Sequence, residues 1–136
     1  MKPGSEEIRV PINSAGDIVI ARQKGRALAT LLGFTGSDPT VVAAAISEVA
    51  RNIVNHARHG EIVIESINQN GRQAIQVTAR DEGPGIADVE QAMQYGYSTS
   101  KGMGVGLPGA KWLMDEFDIA SQVGKGTTVT MKKWLR

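Results

Sequence analysis

Residues Val41–His59 read VVAAAISEVARNIVNHARH, and the period of this stretch sets what the rest of the chain can be. At about 100° per residue, Val42, Ile46, Val49, Ile53 and Ala57 fall within roughly 80° of one another, the core-facing seam of a helix. Glu48, Asn52, Asn55 and His59 fall together within about 60° on the neighbouring face. A surface helix scatters Lys, Glu and Gln over its outer side, whereas here carboxamides and a carboxylate line up beside the core. The stripe reads as a partly buried polar seam or as the wall of a binding site.

Outward from this helix the chain keeps changing period. Upstream, Glu7 to Ile12 alternates weakly as a short strand and ends in Asn13-Ser14, a helix cap. Asp17 to Leu32 repeats apolar residues helically and stops at Gly33. Ser37-Asp38-Pro39 then starts the quoted helix, which is expected to run to Gly60. Downstream, Ile62 and Ile64 mirror Ile75, Val77 and Ala79 across Asn70-Gly71, a pair that accepts positive φ at both turn positions and signals a hairpin. Asp88 is expected to cap a short helix to about Gln94, followed by a small polar loop from Gly96 to Gly102. Gly104 to Leu107 enters another helix, with Pro108 in its first turn and Ala110, Leu113, Met114 and Phe117 apolar. Strands over Asp118–Val123 and Thr127–Leu135 close the chain around Gly124-Lys125-Gly126. The pattern predicts one α/β domain over residues 1–136, a two-layer sandwich with a mixed, mostly antiparallel sheet and helices on one face.

Composition narrows the function. With 136 residues, 41% hydrophobic and 21% charged, the chain is the size and polarity of a single globular domain. A net charge of +1 with both signs interspersed gives no reason to expect nucleic acid. No cysteine is present, which excludes thiol catalysis and thiolate zinc sites. His56 and His59 are too few for a histidine metal site and read as structural. MKPGSEEIRV lacks an apolar signal region, and Val41–Ile46 is too short to span a bilayer, so a cytoplasmic protein without a membrane partner is expected.

Three glycine segments carry chemistry. Asp81-Glu82-Gly83-Pro84-Gly85 sets a carboxylate at a strand end, an ordinary turn or an acceptor for an amine such as the exocyclic N–H of adenine. Gly102-Met103-Gly104-Val105-Gly106-Leu107 precedes a helix, where bare N–H groups and the positive helix end suit phosphate. Gly104, Gly106 and Gly109 also match the dinucleotide fingerprint, but no parallel βαβ unit surrounds them, which leaves a dinucleotide oxidoreductase a poor reading. Gly124-Lys125-Gly126-Thr127 is a hairpin turn, or places a threonine hydroxyl beside a bound base.

In order, Glu-x-x-x-Asn on a helix, D-x-G-x-G, G-x-G-x-G-L and G-T-x-V resemble the GHKL ATP-binding fold from Ser37 to the C-terminus. Within it, ISEVARNI, DEGPGI, YSTSKGMGVGLPG, KWLMDEF and KKWLR are most similar to the anti-sigma-factor and stressosome serine/threonine kinases. The resemblance implies ATP and Mg²⁺, with Glu48 as general base and Asn52 as the metal-holding residue. It implies that Asp81 accepts from the adenine amine and that Gly83 and Gly85 let the chain pass close to the base. Asn55, Ile86 and Thr127 join the nucleotide-binding set, Thr127 supporting adenine through water. Ser98, Thr99, Ser100, Lys101, Gly102, Met103, Gly104, Val105, Gly106 and Leu107 complete it as lid and phosphate cradle. The implied acceptor is a Ser or Thr on a STAS-domain stressosome protein, because the chain leaves no room for a histidine phosphoacceptor helix. The implied later partner is a PP2C-type phosphatase. An anti-sigma factor with kinase activity, sequestering a sigma subunit, is the alternative. Trp112 and the tail Lys132–Arg136 are candidate partner surfaces, although a Trp there is more often packing.

Overall fold

The computed structural model describes residues 7–93 and 106–136. Its elements are β1 (Glu7–Ile12), α1 (Ala15–Leu32), α2 (Asp38–His56), β2 (Gly60–Gln69), β3 (Arg72–Asp81), α3 (Val89–Ala92), α4 (Gly106–Leu113), β4 (Glu116–Gln122) and β5 (Gly126–Trp134). The five strands form one sheet in the order β1-β2-β3-β5-β4. Among the described residues every pairing is antiparallel, where a mixed, mostly antiparallel sheet was expected.

Alternation along the strands explains the two layers. Ile62, Ile64, Ile75, Val77, Val129 and Met131 are buried on one sheet face, under α1, α2 and α4. The other face carries Arg9, Glu61, Glu65, Gln76, Thr128 and Lys132, so only one face is driven to seek cover. From α2 come Val42, Ile46, Val49 and Ile53, each essentially inaccessible. Each fully buried side chain of this size contributes about 1.5–3 kcal/mol. Where α1 crosses α2, Gly25 leaves space that a Cβ would take from Ile46, so the two helices sit close. The β2–β3 hairpin turns through Asn70 (φ 53°) and Gly71 (φ 80°), the two-residue turn that Asn-Gly signals.

Three boundaries differ from the sequence reading. The quoted helix ends at His56, not at Gly60. Gly60 is already paired with Asp81 in β2, where a Cβ would lie 2.5 Å from the Arg80 carbonyl oxygen, so the chain must turn earlier. It does so at Arg58 (φ 72°), whose N–H, like that of Ala57, donates to the Ile53 carbonyl at 2.8 Å. His59 therefore leaves the polar stripe and pairs through Nδ1 with Asn13 Oδ1 at 2.9 Å. Likewise Phe117 lies in β4 opposite Met131 rather than on α4. The expected short helix stops at Ala92, with Asp88 capping it by accepting from the Gln91 N–H at 2.9 Å.

The tail is fastened to its own chain. The Asp115 carboxylate accepts from the Trp134 N–H at 2.8 Å and from both Arg136 guanidinium nitrogens at 3.2 Å. Trp134 donates through Nε1 to Glu116 at 2.7 Å, with Arg72 over its ring at 4.6 Å. Lys133 is buried and donates to the Leu113 carbonyl at the end of α4. Trp134 is thus packing, whereas Trp112 is 79% exposed.

Candidate nucleotide site

The register of the sheet gathers the polar end of the site. One row crosses all five strands through Ile12, Gly60, Asp81, Thr127 and Ser121. Asp81 is the last residue of β3 and is 9% exposed, and Thr127 opposite it is 5% exposed. One carboxylate oxygen of Asp81 accepts from the Gly83 N–H at 2.9 Å, which fixes the side chain across the strand end. Ser121 Oγ lies 2.8 Å from Thr127 Oγ1, donates to the Gly126 carbonyl at 3.2 Å and accepts from the Ile86 N–H at 2.7 Å. Ser121 thereby ties the segment after Asp81 to the β4–β5 turn. It was not among the expected site residues. Its signal was present: a small hydroxyl on the inward parity of β4, after Phe117 and Ile119.

The two glycines after Asp81 allow close approach, but to the protein itself. A Cβ on Gly83 would stand 2.5 Å from Ala57 Cβ, against the end of α2. Gly85 has φ 78° and its Cβ would run into the backbone of Gln122. Together they press the segment between α2 and the β4–β5 turn, with Gly124 N–H donating to the Pro84 carbonyl at 2.8 Å.

On the helix side, a cavity of about 290 Å³ is lined by Asn52, His56, Gly85, Ile86, Asp88 and Leu107. His56 stands one turn after Asn52 and joins this wall, a place the structural reading of the histidines did not give it. Asn55 is exposed and does not line the cavity. Asp81 and Thr127 instead border a separate open hollow of about 470 Å³ at the sheet end, shared with Ser121 and Gly126 and with Arg80 and Thr128 of the uncovered sheet face. Asp81, Gly83 and Gly85 follow one another along the segment that leads from this hollow to the cavity.

Glu48, one turn before Asn52, reaches α4. Its Oε1 accepts from the N–H of Gly106, the first residue of that helix, at 3.0 Å, and its Oε2 accepts from Arg51 Nη1 at 3.0 Å. A carboxylate at a helix N-terminus is favoured by the unpaired N–H groups and the helix dipole. Gly106 therefore meets α2 at Glu48, and Leu107 shares the cavity wall with Asn52. Ser98, Thr99, Ser100, Lys101, Gly102, Met103, Gly104 and Val105 lie outside the described residues.

Among the described residues, no group of three His, Cys, Asp or Glu side chains is placed to hold a metal. The donor available on the cavity wall is the Asn52 amide, one neutral oxygen, a donor type compatible with a hard cation carried largely by phosphate oxygens and water. No helix among the described residues is long and apolar enough to cross a membrane.

An antiparallel sheet under helices, a strand-end carboxylate and a Glu-x-x-x-Asn helix facing a helix N-terminus define an ATP-binding domain, and comparison with known proteins agrees. Residues 14–133 match the histidine kinase-like ATPase domain, and the chain belongs to this family. It is 48% identical over 127 residues to the serine/threonine-protein kinase RsbT of Bacillus subtilis strain 168, covering 93% of this chain and 96% of that protein. The chain is thus an RsbT-like, ATP-dependent serine/threonine kinase. It is also 36% identical over 109 residues to the anti-sigma F factor of Caldanaerobacter subterraneus, covering 72% of this chain and 75% of that one. With the anti-sigma F factor of Geobacillus stearothermophilus it shares 33% over 120 residues, 83% of this chain and 81% of that one. In fold it is similar to the histidine kinase domain of the blue-light activated histidine kinase from Erythrobacter litoralis EL346, with a TM-score of 0.52 at 17% identity. That alignment covers 98% of this chain and spans 64% of the histidine kinase domain's length.

Proposed function

We propose that this kinase transfers the γ-phosphate of ATP to a serine or threonine of a STAS-domain stressosome protein and, once released, activates a PP2C-type phosphatase in sigma-factor regulation. The observation that carries the site reading is the Glu48 carboxylate at the N-terminus of α4, one turn from Asn52 on the cavity wall. In the reaction, the acceptor hydroxyl oxygen attacks the γ-phosphorus, its proton passes to Glu48, and the bond to the β,γ-bridging oxygen breaks to release ADP. Asn52 would hold Mg²⁺, which when bound neutralises phosphate charge. Asp81 accepts from the adenine amine, Thr127 supports it through water, and Gly106 N–H binds phosphate. Gly83 and Gly85 shape the segment beside the base, and Ile86 and Leu107 line the pocket. The cytoplasm is the proposed compartment.

The anti-sigma F relatives give a second reading, a kinase that also sequesters a sigma subunit. Binding assays with purified partners separate the two. Capture of a STAS-domain protein with Mg-ATP-dependent phosphorylation on Ser or Thr is expected, whereas capture of a sigma subunit in its place would favour the alternative.

A further inference from the structure

Glu48 is held at both oxygens, by partners of different kinds. Gly106 belongs to α4, across the site, and Arg51 lies on α2 itself, one turn after Glu48 and directly before Asn52. The Glu48 and Arg51 side chains are only 14% and 26% exposed, so this pair is less screened by solvent than an ordinary surface i,i+3 pair. Among the described residues, Arg51 is the only side chain that forms a salt bridge with Glu48. Arg51 is not among the residues lining the 290 Å³ cavity.

We propose that Arg51 is the positioning residue for Glu48 in phosphoryl transfer. The inference rests on the reading of Glu48 as the general base. A phosphate arriving at α4 takes the Gly106 N–H, the donor now used by the carboxylate. Glu48 then loses one of its two partners and is repelled by the incoming negative charge. Arg51 rides on the same helix as Glu48, so its hold survives that exchange. The guanidinium keeps the carboxylate aimed where the acceptor hydroxyl must lie, and it leaves the second oxygen free to take the proton. Without Arg51, nothing on α2 restrains the carboxylate once phosphate has displaced it.

The test uses the full chain, Mg-ATP and a purified STAS-domain acceptor, with Arg51→Gln, Arg51→Lys, Glu48→Gln and the Glu48→Gln/Arg51→Gln double variant. Arg51→Gln should lower kcat by about 10- to 100-fold, as misplacement of a reacting group does, with the Kd for ATP within about twofold of wild type. Arg51→Lys, which keeps the charge, should recover most of the lost rate. The double variant should be no slower than Glu48→Gln, because Arg51 acts through Glu48. A wild-type kcat in Arg51→Gln beside an inactive Glu48→Gln overturns this inference alone. So does a loss of ATP affinity with kcat intact, which would put Arg51 on the nucleotide, or Arg51→Lys as slow as Arg51→Gln. Wild-type transfer by Glu48→Gln would instead overturn the base assignment, and this inference with it.

Discussion

Asp81 and Glu48 are both acids, but their settings ask different things of them. One oxygen of Asp81 is fixed by the Gly83 N–H, and among the described residues the other carries no hydrogen bond, the arrangement the proposed recognition of an amine would use. Asp81→Asn replaces a charged acceptor with an amide, and hydrogen bonds to charged groups contribute about 1.5–3 kcal/mol. ATP affinity should therefore fall by about tenfold or more while melting changes little, read by calorimetric titration; unchanged affinity would remove Asp81 from the adenine site. Both acids stood out in the sequence as candidates, because a carboxylate at a strand end and one in a helical polar stripe each break the expected pattern. Ser121 and His56 were not, since each acquires its place only through contact across elements. Arg51 had no reading of its own in the sequence, because its place comes from the bond to Glu48.

At the scale of elements, turns and strand ends govern how the site is held. Gly71 and Gly85 have nearly the same positive φ, yet only Gly85 has backbone in the way of a Cβ. Gly71→Ala should cost about 1–2 kcal/mol from backbone strain alone and leave ATP binding intact. Gly85→Ala should cost more and weaken binding too, since the Pro84–Ile86 segment must move off Gln122. Chemical denaturation and titration of both variants read this, and equal effects would contradict it. Asp115 fastens the end of β5 to the α4–β4 connection. Burial alone would raise its carboxyl, but the Trp134 N–H, the Arg136 guanidinium and Lys133 together hold it below its ordinary value. A depressed folded-state pKa contributes stability that is present above the unfolded value and lost as pH falls through the folded one. Asp115→Asn should therefore flatten the acid side of the melting temperature against pH, and an unaltered acid limb would contradict the linkage. Hairpin and helix starts were legible because Asn-Gly and Asp-Pro act locally. The end of α2 was not, because it is set by the Gly60–Asp81 pairing across the sheet.

Over the whole molecule, the sequence period and the sheet register do complementary work. Alternation in β2, β3 and β5 makes one apolar face, α2 covers it with Val42, Ile46, Val49 and Ile53, and Glu48 in the polar stripe beside that seam reaches α4. The order of four motifs made this architecture readable before any contact was known. Thr127 was expected beside the base that Asp81 reads, but the place of Ser121 in the same row was beyond reach, because register is a property of paired strands and not of either alone. The proposed role of Glu48 is chemistry on an acceptor hydroxyl, while nucleotide binding rests on other residues. The most direct measurement is transfer of labelled γ-phosphate from Mg-ATP to a purified STAS-domain protein, by wild type and by Glu48→Ala, with ATP binding measured in parallel. Wild type should leave phosphoserine or phosphothreonine on the acceptor, and Glu48→Ala should lose about 10²–10⁴-fold in rate with ATP still bound. Undiminished transfer by Glu48→Ala would contradict that role.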